Sequence, residues 1–259
     1  MNGTSADPPV EIYLGDEQGE IQRLLRSALR DLRLSINKDY GACDLLSEAV
    51  QDGNPDLIIV DAELAGEDAC SLVKSIRQNR LGTNPFIPII VTSWESSAAR
   101  VRQLIDSGAD GLLIKPASIS TIQNHINLII NKRRPFVVTS SYIGPDRRND
   151  PTHISAALRI EVPNTLKAKM NGEPINWDNL RFQIADRVTE INAERLRRNA
   201  FELSFLVEMM LSNFDAGLSD ANLLSNFCGF NVLQPIQWSG LRAVSMNKVR
   251  IYAEHFFGF

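Results

Sequence analysis

The sequence predicts an α/β protein: a doubly wound, five-stranded parallel sheet followed by a smaller all-α domain. Two observations carry the first part. Apolar runs each stop at a polar residue: Asp16 and Glu17 follow a short run, Asp61 follows Leu57 to Val60, Thr92 follows Ile89 to Val91, and Lys115-Pro116 follows Leu112 to Ile114. Between these runs the apolar residues recur with helical spacing, so strand and helix alternate. A third observation carries the second part: past residue 133 the alternation gives way to turn-rich sequence and then to long helical periodicity.

Taken in order, the first strand leads into a helix carrying Ile21, Leu24, Leu25, Ala28 and Leu29. The run ending at Asp61 leads into one with Leu72, Val73 and Ile76, and the run ending at Thr92 into one with Val101, Leu104 and Ile105. Gly53-Asn54-Pro55 and Ser107-Gly108-Ala109-Asp110 supply short joints. Right-handed βαβ crossovers bring all strand ends to one edge of the sheet, where open α/β folds place their chemistry.

Three carboxylates gathered there, Asp16, Glu17 and Asp61, repel one another unless a cation lies among them. Hard oxygen ligands with open positions suit Mg²⁺. Lys115 and the Thr92 hydroxyl, aimed at the same point, add positive charge and a hydrogen-bond donor. Phosphoryl transfer needs that combination, because it is catalysed mainly by positioning and charge neutralisation. Each residue alone has an ordinary alternative, a helix cap for Asp61 or a solvated charge for Lys115 and Glu17; their ordered combination favours the chemical reading.

Residues 10–133 resemble the receiver domain of two-component response regulators. The stretch Gly15-Asp16-Glu17-Gln18-Gly19-Glu20-Ile21-Gln22-Arg23-Leu24-Leu25 is similar to that family's acidic pair and first helix. The resemblance implies that Asp61 accepts a phosphoryl group from a histidine kinase or histidine phosphotransfer protein. It implies that Asp16, Glu17, Asp61 and the Glu63 backbone carbonyl hold Mg²⁺. Thr92 is then the switch hydroxyl, Lys115 pairs with the phosphoryl oxygens, and the Lys115-Pro116 bond is cis, which only an X-Pro bond adopts at modest cost.

Several positions depart from the family pattern. Leu112 stands where many receivers carry an aromatic residue coupled to the switch threonine, so the usual aromatic relay is missing. Glu63 and Trp94 follow Asp61 and Thr92 at the positions that tune attack by water, adding charge and bulk. The loop Ala62-Glu63-Leu64-Ala65-Gly66 lacks the proline that many receivers carry after the acceptor.

Residues 134–163 read as a linker. Within it, Arg134 to Thr139 and Tyr142-Ile143-Gly144-Pro145-Asp146-Arg147-Arg148 resemble an extension seen after alphaproteobacterial receivers that lack a DNA-binding output. On that resemblance Tyr142, Arg147 and Arg148 form a docking strip for a partner or for the second domain. Residues 164–259 read as a helical C-terminal domain. One long amphipathic helix or two through Leu180, Ile184, Val188, Ile191, Leu196, Leu203, Leu206, Val207 and Met210 ends near residues 212–217, with further helices expected around 220–228 and 238–257. Residues 1–9 read as a disordered start.

Composition bounds the function. Lys+Arg number 27 against 31 Asp+Glu, a net charge of −4, and the apolar share is 44%. Residues 134–259 carry fourteen basic and thirteen acidic residues, about +1, with no basic face, which argues against a nucleic-acid role. Pro235 and Gly240 also disfavour a helix-turn-helix across 222–249. No apolar run approaches about 18 residues, so no membrane span is expected and the chain reads as cytoplasmic. Cys43, Cys70 and Cys228 have neither disulfide nor metal spacing and read as buried small side chains. His125 reads as surface; His153 and His255 are not placed as a phosphotransfer histidine would be. The expectation is a response regulator without an enzymatic output, acting on a downstream protein partner, with homodimerisation open. A DNA-binding transcriptional regulator and a phosphorylation-independent scaffold are the alternatives.

Overall fold

The computed structural model describes residues 9–148 and 158–215, with side chains to residue 208. The expected helices at 220–228 and 238–257, the helix-turn-helix alternative, His153, His255, Cys228 and the first eight residues lie outside it. The chain divides into two units at Asn192/Ala193.

In the first unit, strands β1 (Ile12–Gly15), β2 (Lys38–Tyr40), β3 (Leu57–Asp61), β4 (Ile89–Ser93) and β5 (Gly111–Ile114) form one parallel sheet in the order β2-β1-β3-β4-β5. Helices α1 (Gly19–Asp31), α2 (Cys43–Asp52), α3 (Ala69–Arg77), α4 (Ala98–Asp106) and α5 (Ile119–Lys132) connect and follow the strands. This is the doubly wound sheet the apolar runs predict. β3 and β4 are buried throughout because both faces are covered, which is why they read as continuous runs rather than alternations. Tyr13, Ile58, Val60, Ile89 and Val91 point to the side packed by Leu46, Cys70, Val73 and Leu104. Ile12, Leu14, Leu57, Ile59, Ile90 and Leu113 point to the side packed by Leu25, Leu29, Ile122 and Ile126. β2 has no apolar signature: Lys-Asp-Tyr is an exposed edge strand, held by parallel pairing to β1.

The interval read as linker contains a second sheet. β6 (Phe136–Val138), β7 (Ile143–Pro145) and β8 (Arg159–Ile160) are antiparallel in the order β7-β6-β8. Strands of two and three residues, with Gly144-Pro145 inside one of them, give turn-like composition; only pairing between distant residues makes them a sheet. Phe136, Val138, Ile143 and Ile160 enclose a third apolar cluster with Phe86 and with Leu180, Ile184 and Ile191. Phe86 and Phe136 meet edge to face at 5.8 Å. This small sheet is therefore packed on the parallel-sheet domain instead of spacing it from its neighbour.

Two helices follow. α6 (Thr165–Met170) is capped by the Asn164 side chain and buries Leu166 in the α1/α5 cluster. Lys169 donates to Asp56 at 2.7 Å, and its ammonium lies 5.6 Å from the Trp177 ring. α7 (Trp177–Asp215) is helical through all 39 residues to the end of the described stretch, so the expected helix end near residues 212–217 is not tested. Among the described residues after 164, Thr165–Met170 and Trp177–Asp215 are helical as expected, but the first unit runs on to Asn192, about a turn and a half of α6 and four turns of α7 beyond the anticipated boundary. Leu180, Ile184 and Ile191 serve the Phe136 cluster, so they belong to the first unit. In the second unit α7 exposes Leu196, Phe201 and Phe205. No helix among the described residues is long and apolar enough to cross a membrane.

Candidate functional site

The polar residues that end the strands do converge. Asp61 closes β3, and Thr92 stands directly opposite it on β4. The Ala62 N–H donates to Thr92 O at 2.7 Å and the Lys115 N–H to Ser93 O at 2.7 Å, so the ladder fixes all three positions. Asp16 follows β1 directly; its Oδ1 accepts from the Gln18 N–H at 2.7 Å, and Gln22 Nε2 donates to its carbonyl at 2.6 Å. A Cβ at Gly15 would lie 2.8 Å from a Leu64 methyl and 3.1 Å from one of Leu46, so a side chain there would require both leucines to shift.

Lys115 Nζ sits between the two acids, 2.6 Å from Asp61 Oδ2 and 3.3 Å from Asp16 Oδ2. All three side chains are at least nine-tenths buried. The Lys115-Pro116 bond is cis, as expected. Thr92 is 3% exposed and its Oγ1 has no hydrogen-bond partner. A buried hydroxyl left in that state costs free energy on the order of 1–3 kcal/mol, and it keeps its donor capacity at this edge. Burial holds the Asp16 carboxyl above the ordinary carboxylate range; the Gln18 amide and Lys115 oppose the shift and the Asp61 charge adds to it.

Glu17 is not brought in with the other two acids. It is exposed, and its Oε1 accepts from the Ala65 N–H at 3.3 Å. Among the described residues no three His, Cys, Asp or Glu side chains converge as a metal would require. The Lys115 ammonium supplies the counter-charge to the inner pair, Asp16 and Asp61. Asp16 and Asp61 nonetheless fit such a cation, being two buried hard oxygen donors of which one is strained toward protonation.

The modulating positions are also resolved. Trp94 lies over the site at 47% exposure, its Nε1 donating to Gln18 Oε1 at 3.3 Å and its ring 5.5 Å from Lys115 Nζ. Glu63 turns its carboxylate to the Ser93 hydroxyl, at 2.9 Å, rather than to Asp61; its amide N–H donates to Asp61 Oδ1 at 3.3 Å. Leu112 is half-buried against the α3/α4 side of the core. Ser93 and Arg100, which sequence reasoning did not single out, join this group. No residue pattern announced them, because their role depends on which way Glu63 points.

The strip expected to dock a partner is occupied internally. Arg147 donates to the Ala109 carbonyl and, at 3.4 Å, to that of Asp110; the Tyr142 hydroxyl donates to Pro145 O at 2.8 Å. Arg148 pairs with Asp146, which also accepts from Arg159 at 3.0 Å. Asp110 is itself buried between Arg77 and Arg133, each at 2.7 Å. The two arginines of the strip thus anchor it, because buried carbonyls and a buried carboxylate need those donors. His125, expected at the surface, is half-buried beside Gly111, and burial lowers its pKa. Cys43 and Cys70 are free and buried, as expected; burial pushes the Cys43 thiol up to about 11.

Comparison with known proteins gives one family. The model of the response regulator receiver domain matches residues 12–127. The chain is 22% identical over 125 residues to chemotaxis protein CheY-3 of Vibrio cholerae, covering 48% of this chain and 93% of that one. It is 27% identical over 138 residues to transcriptional regulatory protein PdtaR of Mycobacterium tuberculosis, covering 52% of this chain and 65% of the relative. Among solved structures, the receiver domain of the putative response regulator NarL from Mycobacterium tuberculosis aligns with a TM-score of 0.41 and 20% identity, over 46% of this chain and 94% of that one.

Proposed function

Because residues 12–127 belong to the response regulator receiver domain family, we propose that this chain is a phosphorelay response regulator whose Asp61 is the phosphoacceptor. A phosphorylated histidine on a kinase or phosphotransfer protein is the donor. An Asp61 carboxylate oxygen attacks phosphorus, the P–N bond breaks with its electron pair leaving on the imidazole, and an aspartyl phosphate forms. Lys115, already 2.6 Å from Asp61, neutralises charge on the transferred group. Thr92 Oγ1 donates a hydrogen bond to one of its oxygens.

The unpartnered Thr92 hydroxyl, held opposite Asp61, is the observation that carries this reading. Receiver domains generally bind Mg²⁺; here Asp16 and Asp61 would hold it, with Glu17 on the rim. The ion would supply charge neutralisation for the phosphoryl oxygens. We assign no separate enzymatic output to the chain, and a protein partner receives the signal.

Treatment with a small acyl phosphate and Mg²⁺ is expected to add one phosphate, located by peptide mass analysis at Asp61 and lost in Asp61→Asn. Lys115→Ala is expected to slow the addition. Phosphate on another residue of the wild-type protein contradicts the assignment, and no uptake from either an acyl phosphate or a phosphohistidine protein favours the scaffold alternative.

A further inference from the structure

Glu63 poses a problem for the proposed chemistry, and the surrounding side chains show how it is solved. It lies two residues after Asp61, so an unpaired carboxylate there repels both an incoming phosphodonor and the group once transferred. Ser93, fully buried at the end of β4 and adjacent to Thr92, donates to Glu63 Oε1 at 2.9 Å; the Glu95 N–H donates to the same hydroxyl at 3.0 Å. From the first turn of α4, Arg100 Nη2 lies 3.8 Å from Glu63 Oε1 and donates to the carbonyl of Ala62 at 3.1 Å. Its Nη1 donates to Gln103 Oε1 at 3.0 Å, which fixes the guanidinium plane. Ala62 in turn is tied by its N–H to Thr92 O.

Resting on the reading of Asp61 as the phosphoacceptor, we propose that Arg100 is a positioning residue for phosphoryl acceptance. With Ser93 it draws the Glu63 carboxylate off the acceptor and cancels its charge, and it ties the acceptor loop to the start of α4. Arg100 does not touch the reacting atoms; it acts through Glu63 and Ala62. The arrangement makes phosphorylation and the position of α4 mutually dependent, since negative charge gained at Asp61 competes with Glu63 for the same guanidinium. A route of this kind suits a chain in which Leu112 cannot serve as an aromatic relay.

The test is a charge-compensation cycle in the full-length protein, read as the rate of Asp61 phosphorylation by a small acyl phosphate at fixed Mg²⁺. Arg100→Ala is expected to slow the rate about fivefold, the scale of one partly exposed ion pair. The slowed rate should recover with added salt, which screens the exposed charge. Adding Glu63→Gln to Arg100→Ala should restore it, and Arg100→Lys should keep most of it. A purely structural role for Arg100 would not be reversed by neutralising Glu63. Should Arg100→Ala melt early, Arg100→Gln retains a donor for the Ala62 carbonyl without the charge and carries the same comparison. An unchanged rate in a folded Arg100 variant, or no restoration by Glu63→Gln, overturns the proposal. Wild-type protein that takes no phosphate at Asp61 overturns the parent reading and this one together, a result distinct from a phosphorylated wild type with an indifferent Arg100.

Discussion

Asp16 and Thr92 both sit at the strand edge in states that cost the folded protein something. Thr92 hides a hydroxyl without a partner, and Asp16 hides a carboxyl whose ionised form burial disfavours. The sign for Asp16 follows from its raised pKa. Its folded state binds the proton more tightly than the unfolded chain, so above the folded pKa the ionised group subtracts from stability, and the loss is relieved as pH falls through that value. Asp16→Asn, nearly the same in shape, is therefore expected to raise the melting temperature at neutral pH by a few degrees, where 1 kcal/mol corresponds to about 2–4 °C for a domain of this size. The same substitution should weaken Mg²⁺ binding, followed through the fluorescence of Trp94 beside Lys115. A lower melting temperature, or an unchanged Mg²⁺ titration, contradicts the view that Asp16 is kept at a cost to stability for the cation. Lys115 bridges two buried acids, so removing it would leave both carboxylates buried without their counter-charge.

At the scale of elements, the β6-β7-β8 sheet is bound to the domain it follows by three kinds of contact. Phe136 is fully buried, with the Arg77 and Arg133 guanidinium groups 5.2 and 5.3 Å from its ring. Gly144 and Gly108 approach so closely that a Cβ on Gly144 would lie 2.8 Å from Gly108 Cα, and Gly108 has a φ of +96°. Asp146 is held at a pKa of about 2, first by the Arg148 hydrogen bond and then by its backbone partner and Arg159. Phe136→Ala is expected to cost about 3–5 kcal/mol in chemical denaturation of the whole first unit. A cost under about 1 kcal/mol would show the small sheet to be loosely attached, since that is the scale of surface substitutions. Because the Asp146 pKa is depressed, its contribution is full above the unfolded value near 4 and disappears as pH falls through about 2. The stability gap between wild type and Asp146→Asn should close over that interval. These contacts also mark where the sequence stopped being legible. β3 and β4 announce themselves as apolar runs because both faces are covered, and Asp61, Thr92 and Lys115 are legible because each ends such a run. β2 and the small sheet are short, edge-exposed or turn-like, and depend on pairing between distant residues. A list of acids did not say that Glu17 would lie at the exposed rim, bonded to the Ala65 amide, while Lys115 bridges Asp16 and Asp61. The resemblance that suggested Arg147 and Arg148 as a docking strip did not show that they donate to the Ala109 and Asp110 carbonyls and to Asp146.

For the molecule as a whole, this attachment defines how a change at Asp61 can travel. α4 begins at Ala98 after its capping Ser97, with Arg100 in its first turn beside the acceptor loop, and leads into the Ser107–Asp110 turn on which Gly144 and Arg147 rest. A shift of α4 that exchanges Glu63 for the phosphoryl group at one end therefore disturbs the seat of the small sheet at the other. From there Ile143, Val138 and Phe136 share a cluster with Leu180, Ile184 and Ile191 of α7. This is a contiguous packed chain of contacts from the acceptor loop to α7, the physical route that coupling would need. Hydrogen exchange with and without a beryllofluoride phosphate mimic tests that route. Protection is expected to change together in residues 94–106, 136–145 and 177–192. In Arg147→Ala, which loses its hold on the Ala109 and Asp110 carbonyls, the response should persist in 94–106 and fade in the other two segments. A response confined to 94–106 in the wild-type protein, with 136–145 and 177–192 unmoved, would make the small sheet a static support and leave the α4 surface itself as the face a partner reads.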